Sequence, residues 1–314
     1  MDIQHHSRHK LEADELQRES IAYLFSLPEH GIAGYLYSWV NGQGRAGSAM
    51  FLYGPTVGPD PIEALTNGVI MADDQDFDDW KVGDVHIRHG DNESMVGTYE
   101  GDRVQIEYRF EPTHPAYLYS CHPDGSPDFI AKDRFEQSGH ITGSITLDGT
   151  VYPFDTMGHR DHSWGTRHWG IAQHWKWCET QAGPDLAVHF MELHALGNRL
   201  VRGYVWRDGA MAEITNLDVK YEFDEHFWHT SAVAVVGDEL GRTTTMKGRV
   251  FATYKMEPHP MSSNHEGSME LEIEGVPGAG HLEMQWQKPY LDYLQSQSYV
   301  REHATGPATS QGPP

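Results

Sequence analysis

The chain has 314 residues, of which 38% are hydrophobic and 22% charged, which is typical of a folded protein long enough for two domains. Its formal net charge of -23 argues against nucleic acid or an anionic membrane as a partner, because binding phosphates requires clustered Lys and Arg. The sequence has no long apolar run, and its first residues lack the apolar core of a signal peptide. We therefore expect a cytoplasmic protein without an integral membrane segment.

The first predicted elements lie at the beginning of the chain. Residues 1–12 are polar and predict a disordered start. Residues 14–28 predict a short amphipathic helix, since Asp14 can cap its beginning and Pro28 ends it. The apolar residues that would share one face of this helix are Leu16, Tyr23, Leu24 and Leu27.

Apolar and polar residues alternate along much of the remaining chain, and this alternation predicts short β-strands. The clearest alternating segments are 104–110, 141–147, 217–223, 269–273 and 282–286. Strands with one apolar and one polar face are typical of antiparallel sheets. The sequence therefore predicts an all-β protein with two antiparallel β-barrel or β-sandwich domains.

The length and the motif positions predict where the domains begin and end. We expect an N-terminal β domain over residues 13–168, including the leading helix, and a C-terminal β domain over residues 169–300. Residues 301–314 contain repeated Gly and Pro and predict a flexible tail. The strongest motif lies near the middle of the chain, so we expect a ligand site where the two domains meet.

That motif is the segment 158–167, which reads GHRDHSWGTR. It combines an acid, two imidazoles and two guanidinium groups, and Trp164 and Trp169 lie close to them in sequence. Aromatic neighbours that exclude water shift the pKa of an acid, so this composition is typical of a catalytic pocket. A salt-bridge network that only stabilises the fold is the alternative interpretation.

The stretch from His159 to Gly165 resembles the Tyr-x-Asp-His-Asn-Trp-Gly signature of the carotenoid 1,2-hydratase (hydroxyneurosporene synthase) family and its two-domain, lipocalin-like relatives. His159 stands where that family has Tyr and Ser163 where it has Asn, whereas Asp161 matches the family's acid. Segments 31–35 (GIAGY) and 136–140 (EQSGH) resemble uncharacterised members of the wider group. The resemblance implies two lipocalin-like domains over residues 20–300 and a catalytic acid at Asp161, and it leaves the substrate open.

On this basis we predict that Asp161 is a general acid held by His162 or Arg160, with His159 as the fourth catalytic residue. Aromatic rings would surround a hydrophobic, terpenoid-like substrate and stabilise a cation-like transition state. The residues predicted to bind this substrate are Trp164, Trp169, Trp177, Tyr35, Tyr37, Trp39, His194 and Glu192. Glu192 and His194 are two residues apart on a predicted strand and share a face, so Glu192 can orient the imidazole.

A metal site is the main alternative for this histidine-rich centre. Six histidines lie between His159 and His194, but no spacing places three of them on one strand face. Cys121 and Cys178 lack Cys-x-x-Cys spacing, and the acidic run 73–79 lacks the glycine and the closing Glu of an EF-hand. Nucleotide-binding motifs are absent from the sequence as well. We therefore predict neither a metal nor a cofactor.

The predicted function is a cofactor-independent hydratase or dehydratase that acts on a small hydrophobic substrate. An isomerase or cyclase acting on a terpenoid or polyketide is the closest alternative, since it would use the same pocket. A carrier that encloses a lipophilic molecule without changing it is the non-catalytic alternative. The sequence leaves open whether the protein forms a homo-oligomer.

Overall fold

The computed structural model describes residues 6–297, and the protein is all-β, as predicted. The described chain divides into two compact units. Unit 1 ends at His168 and also includes Gly183–Asp185. Unit 2 comprises Trp169–Ala182 and the residues from Leu186 onwards. No helix in the described range is long and apolar enough to cross a membrane.

Unit 1 contains eleven antiparallel strands. These are β1 (Gln17–Leu27), β2 (Ile32–Asn41), β3 (Arg45–Tyr53), β4 (Ile62–Ile70), β5 (Asp79–Val82), β6 (Val85–His89), β7 (Met95–Glu100), β8 (Val104–Pro112), β9 (Tyr117–Leu118), β10 (Asp133–Leu147) and β11 (Thr150–Thr166). Short 3-10 helices lie at Pro28–His30, Asp91–Glu93 and Tyr119–Cys121.

The sheet of unit 1 has the order β4-β3-β2-β1-β11-β10-β8-β7-β6-β5, and β9 pairs with β10. The first strand of the chain therefore lies in the middle of the sheet, between β2 and β11. One face of the sheet carries the apolar core, which contains Tyr23, Trp80 and Phe110. The opposite face of β1, β10 and β11 carries the polar groups described below.

The helix predicted over residues 14–28 is wrong, because β1 occupies this segment. Aromatic and β-branched residues such as Ile21, Tyr23 and Phe25 alternate with small ones, and such residues favour strands. Nearly every residue of β1 is buried, on both faces, so polar residues do not mark an outer face. A fully buried strand therefore lacks the period of two that identified the other strands.

Unit 2 is a closed antiparallel barrel in which each strand pairs with its neighbours in sequence. Its strands are β12 (Ala172–Gln181), β13 (Leu186–Ala195), β14 (Asn198–Arg207), β15 (Ala210–Phe223), β16 (His229–Asp238), β17 (Thr243–His259), β18 (Ser262–Ile273) and β19 (Val276–Gln287). Pairing of β12 with β19 closes the barrel. Its apolar core includes Phe190, Met269 and Trp286.

The short α-helix of the structure, α1 (Lys288–Ser296), follows the last strand and not the chain's beginning. Pro289 lies in its first turn, where a missing N–H costs nothing, and Leu291 is buried against the core of unit 2. The strands predicted from alternation are confirmed, since all five segments lie within β8, β10, β15, β18 and β19.

The two ends of the chain were predicted to lack structure. Residues 301–314 lie outside the described residues, as do residues 1–5. Residues 6–12 differ from the prediction, because Asp76 accepts a hydrogen bond from the Arg8 N–H and Glu19 accepts one from the His9 N–H. This segment of the start is thus held against unit 1.

Candidate functional site

The central motif lies on β11, and strand geometry divides it between two faces. His159, Asp161 and Ser163 point to one face, which we call the acid face, while Arg160, His162 and Trp164 point to the other, the core face. The four predicted catalytic residues therefore do not share one face. His162 and Arg160, predicted to hold Asp161, project away from it.

Asp161 is held instead by Arg134 on the neighbouring strand β10. One Arg134 guanidinium N–H donates to Asp161 Oδ2 at 3.0 Å, and the Nε–H donates to Glu136. Asp161 and Glu136 are directly opposite each other in the register of β10 and β11. A single guanidinium thus neutralises two neighbouring carboxylates, the arrangement for which its planar fork is suited.

A second hydrogen-bond chain on the acid face contains Glu136, His159 and Ser138. The imidazole Nε2 of His159 lies 2.9 Å from Glu136 Oε2, and its Nδ1 lies 3.3 Å from Ser138 Oγ. Burial lowers the pKa of His159, although Glu136 opposes this shift. The neutral imidazole then donates from Nε2 to the carboxylate and accepts from the hydroxyl.

Burial separates the groups that can reach a ligand from those that cannot. The side chains of Glu136 and His159 are 0% exposed, whereas those of Asp161 and Arg134 are 14% and 15% exposed. Burial alone would lower the pKa of Arg134, but Asp161 and Glu136 outweigh it and raise that pKa. Asp161 and Arg134 are therefore the members of this cluster that solvent can reach, whereas Glu136 and His159 are enclosed.

Three predicted aromatic residues lie on the same face of the sheet, two strands away. Ala22 of β1 is opposite Asp161 on one side and opposite Tyr37 of β2 on the other. By the same register Trp39 and Tyr35 extend this row of rings. Adjacent strands are about 4.8 Å apart, so the rings begin roughly 10 Å from Asp161 across small residues. The Arg18 guanidinium covers Trp39, 4.6 Å from its ring centroid.

The core face carries a buried cluster around Glu19 of β1. His162 Nε2 and His9 Nδ1 each lie 2.7 Å from Glu19 Oε1, and the His9 ring stacks on Trp164 with centroids 3.8 Å apart. Burial alone would raise the pKa of Glu19, but hydrogen bonds from His162 and His9 outweigh it and lower that pKa. Trp164 is buried and stacks on His9, so its ring lies inside unit 1.

Glu19, His9 and His162 also have the composition of a metal site. Their ligand atoms lie within 4.8 Å of one another, and two imidazoles with one carboxylate suit zinc or a similar ion. In the structure these ligand atoms form hydrogen bonds with one another, since both imidazoles contact the Glu19 carboxylate. The prediction that no metal is required stays a prediction.

Arg160 is buried on the core face as well and belongs to a different network. Its Nε–H donates to Gln137 Oε1 at 2.7 Å, and its guanidinium lies 5.1 Å from the centroid of Phe135. A second guanidinium N–H reaches Glu93 Oε2 at 3.4 Å. These contacts hold the Arg160 side chain within the core of unit 1.

The remaining predicted site residues belong to unit 2. Glu192 accepts hydrogen bonds from His194 at 3.0 Å and from Arg199 at 2.7 Å, so it orients the imidazole in the way its spacing indicated. The ring of Trp177 lies 5.6 Å from that of His189, and the ring of Trp169 lies 5.8 Å from that of Trp175.

Sequence reasoning missed Arg134, Glu136 and Glu19, which complete the networks around the motif. Each lies on a strand that pairs with β11, far from the motif in sequence. Glu136 was part of the EQSGH segment that carried the resemblance, and this was the available signal. Arg134 two residues before it would then share its face by strand alternation.

Comparisons with known proteins agree with the fold. A family model described as "Domain of unknown function (DUF7064)" matches residues 2–288. No curated protein matches the chain. Among solved structures, a protein from Nitrosomonas europaea assigned as AttH (NE1406) is similar, with a TM-score of 0.67 at 12% identity. The match covers 90% of this chain and 95% of that chain.

Two further solved structures are similar over most of their length. Kievitone hydratase from Nectria haematococca has a TM-score of 0.57 at 10% identity, and the match covers 88% of this chain and 90% of that chain. CghA, solved with Sch210972, has a TM-score of 0.63 at 13% identity, covering 87% and 89% respectively. At such identities these likenesses concern the fold alone.

Proposed function

The chain belongs to the DUF7064 family, and we propose that it is a lyase that adds water to, or removes water from, a hydrophobic substrate, with Asp161 as the proton-transferring group. One observation carries this proposal. Asp161 and Arg134 are the partly exposed members of an otherwise buried ionic cluster, on the sheet face that also carries Tyr37 and Trp39.

The cluster suits transfer of a proton to or from a substrate carbon whose neighbouring carbon carries a hydroxyl group. In the dehydration direction, the Asp161 carboxylate accepts the proton from carbon while the Arg134 guanidinium binds the hydroxyl oxygen of the substrate. The C–O bond breaks with both electrons on oxygen, and Asp161 returns its proton to that oxygen, so that water leaves. Hydration is the reverse sequence. Because Asp161 is paired with Arg134, it is ionised before the substrate reacts. In the dehydration direction it therefore acts first as a general base, and not as the general acid expected from the sequence.

The surroundings support this chemistry in two further ways. Glu136 and His159 are fully buried and fix Arg134, so the guanidinium does not need to reorganise during the reaction. The partly exposed rings of Tyr37 and Trp39, one of which stacks against the Arg18 guanidinium, offer an apolar surface for the rest of the substrate. Kievitone hydratase, which shares the fold, is named for the same class of reaction.

The test is a search for a mass change of one water molecule. Purified protein is incubated with a panel of hydrophobic alkenes, enones and alcohols, and the products are analysed by mass spectrometry. Asp161→Asn should lower the rate by roughly 100-fold or more, because Asn cannot accept or donate the proton. Asp155→Asn is the matched control, since Asp155 lies on the same strand but its side chain is 77% exposed.

Other outcomes separate the alternatives. A product of unchanged mass whose formation needs Asp161 would identify an isomerase or cyclase, which moves the proton without losing water. Tight binding of a lipophilic ligand without conversion, unchanged in Asp161→Asn, would identify a carrier. Conversion at the wild-type rate in Asp161→Asn would contradict the proposed role of this residue.

A further inference from the structure

The polar cluster of unit 1 has a counterpart in unit 2. The β11 sequence Gly158-His159-x-Asp161-x-x-Trp164 recurs on β19 as Gly280-His281-x-Glu283-x-x-Trp286. The β10 sequence Glu136-x-Ser138 recurs on β18 as Glu266-x-Ser268. In both units the two segments are neighbouring antiparallel strands. Each unit thus carries this polar pattern on its last two strands.

The pairing register makes the correspondence exact at the level of single residues. Glu266 is opposite Glu283, as Glu136 is opposite Asp161. Ser268 is opposite His281, as Ser138 is opposite His159. All of these side chains in unit 2 lie on the face of β18 and β19 that points away from the apolar core residues Met269 and Met284.

The hydrogen bonds correspond as well. His281 Nε2 lies 2.7 Å from Glu266 Oε2, and His281 Nδ1 lies 3.3 Å from Ser268 Oγ. Glu266 and His281 are each 2% exposed, while Glu283 is less buried, the same order as in unit 1. The acid two residues after the histidine is again the group that can reach a ligand.

One substitution changes the charge balance of the second cluster. Asn264 stands where unit 1 has Arg134, two residues before the buried glutamate, and its amide donates to Glu283 Oε2 at 2.8 Å. The indole N–H of Trp175 donates to the other oxygen of Glu283. Both donors are uncharged, so the guanidinium that neutralises two carboxylates in unit 1 has no equivalent at this position. Two adjacent buried carboxyl groups then avoid repulsion by keeping one proton.

The pKa directions agree with this geometry. Burial raises the pKa of Glu266 to about 8, although hydrogen bonds with Glu283 and Asn264 oppose the shift. Burial lowers the pKa of His281 to about 4, so the imidazole is neutral at pH 7 and adds no positive charge. The Glu266–Glu283 pair therefore holds a proton under conditions in which the pair in unit 1 is ionised.

Unused polar atoms around the pair indicate a ligand. Oε1 of Glu266 and both side-chain polar atoms of Gln285 are buried and make no hydrogen bond to the described part of the chain. Gln285 lies between Trp175 and Asn264 in the strand register, and Trp177 is opposite Glu283. A buried amide without a partner is costly, and a polar ligand group would satisfy it.

We propose that the Glu266–Glu283 pair is a second proton-transfer site, which binds the hydroxyl or carbonyl oxygen of an uncharged organic substrate and protonates it. Trp175 and Trp177 would contact the apolar part of this substrate. For a hydroxyl, Glu266 passes the proton of the pair to Glu283, which gives it to the oxygen. The C–O bond breaks with both electrons on oxygen, and water leaves. The proton from the neighbouring carbon then returns to the carboxylate pair. The kind of reaction rests on the proposed function, whereas the site itself does not depend on Asp161.

The first test needs no turnover. The full-length protein at neutral pH should show the infrared C=O stretching band of a protonated carboxyl group, and Glu266→Gln should remove it. Glu270→Gln is the matched control, because Glu270 lies on the same strand and its side chain is 60% exposed. Asn264→Arg, which copies unit 1, should also remove the band by ionising the pair. A wild-type protein without the band, or a band that survives in both Glu266→Gln and Asn264→Arg, would overturn the proposal.

The second test uses isotope-labelled acetophenone as a carbonyl probe. Its C=O stretch should shift to lower frequency on binding to the wild-type protein, as expected for a hydrogen bond from an acid. The shift should be clearly smaller in Glu283→Gln, because an amide N–H is a weaker donor than a carboxylic acid. An unshifted carbonyl with the wild-type protein would contradict the proposed binding mode. On any converted substrate, Glu283→Gln should lower the rate by roughly 100-fold. Loss of activity in Glu283→Gln but not in Asp161→Asn would reject the proposed function of Asp161 and retain this inference.

Discussion

Glu136 and Asp161 lie directly opposite each other on neighbouring strands, and Arg134 donates hydrogen bonds to both. Two carboxylates in such register would repel each other without the cation. The guanidinium thus stabilises the ionised form of both carboxylates. In unit 2, where Asn264 lies at the equivalent position, burial raises the pKa of Glu266 to about 8.

Arg134→Asn should therefore convert the first pair into a proton-holding pair. We expect the unfolding free energy at neutral pH to fall by about 3 kcal/mol, because the remaining carboxylates lose their buried partner. The loss should be smaller in mild acid, because the folded variant holds a proton that its unfolded chain has lost at neutral pH, and lowering the pH reduces the cost of taking up that proton. Chemical denaturation at several pH values measures both effects. Arg109→Asn, an exposed arginine paired with Glu111, should change stability little.

Glu19→Gln should destabilise the core face of unit 1. The carboxylate is 0% exposed and accepts hydrogen bonds from His9 and His162, so the amide would leave part of this network unsatisfied. We expect a loss of about 2–4 kcal/mol in the unfolding free energy. Because the pKa of Glu19 is lowered from 4.5, the wild type should lose this contribution as the pH falls through the lowered value. Glu107→Gln on β8 is an exposed control.

His89 should make the stability of the protein depend on pH. Its Nδ1–H donates to the carbonyl of Phe77 at 2.7 Å, and Tyr23 contacts its Nε2. Burial, together with nearby Arg160, lowers the pKa of His89 from 6.5 to about 3. The unfolded chain binds this proton below pH 6.5 and the folded chain does not, so the stability from neutral His89 falls on acidification toward pH 3.

The slope expected from this one group is about 1.4 kcal/mol per pH unit. His89→Gln should reduce the pH dependence of the unfolding free energy by that amount, whereas the exposed His226→Gln should leave it unchanged. Equal slopes for His89→Gln and the wild type would show that His89 does not remain neutral in the fold.

Gly165→Ala should destabilise the end of β11. Gly165 has a φ of 111°, a backbone conformation that residues with a side chain rarely adopt. A Cβ added there would lie 2.5 Å from the backbone nitrogen of Lys132. We expect a clear fall in the melting temperature, because backbone cannot move aside cheaply. Gly170→Ala is the matched control, since a Cβ there meets nothing within 4 Å and no positive φ is required. Equal melting temperatures for the two variants would contradict this reading.

The all-β class and the alternating strands were predictable because buried apolar residues alternate with polar residues along these strands, as in β8. Strand β1 was not, since both of its faces are buried and its sequence does not alternate between apolar and polar residues. The motif on β11 places Asp161 beside Arg160 and His162 in sequence, but strand alternation puts these two side chains on the opposite face. Arg134 and Glu19 come from paired strands, and only the pairing register reveals them.

The central position of β1 has a consequence for the order in which the chain can fold. Gln17 at its start donates a hydrogen bond to Thr166, 149 residues later, so a ribosome must release β11 before the sheet of unit 1 is complete. Until then, β1 lacks its neighbouring strand β11. In unit 2 the successive strands form hairpins, and only β12 must wait for β19. Long-range pairing slows folding, so we expect the sheet of unit 1 to form only after β11 has been synthesised.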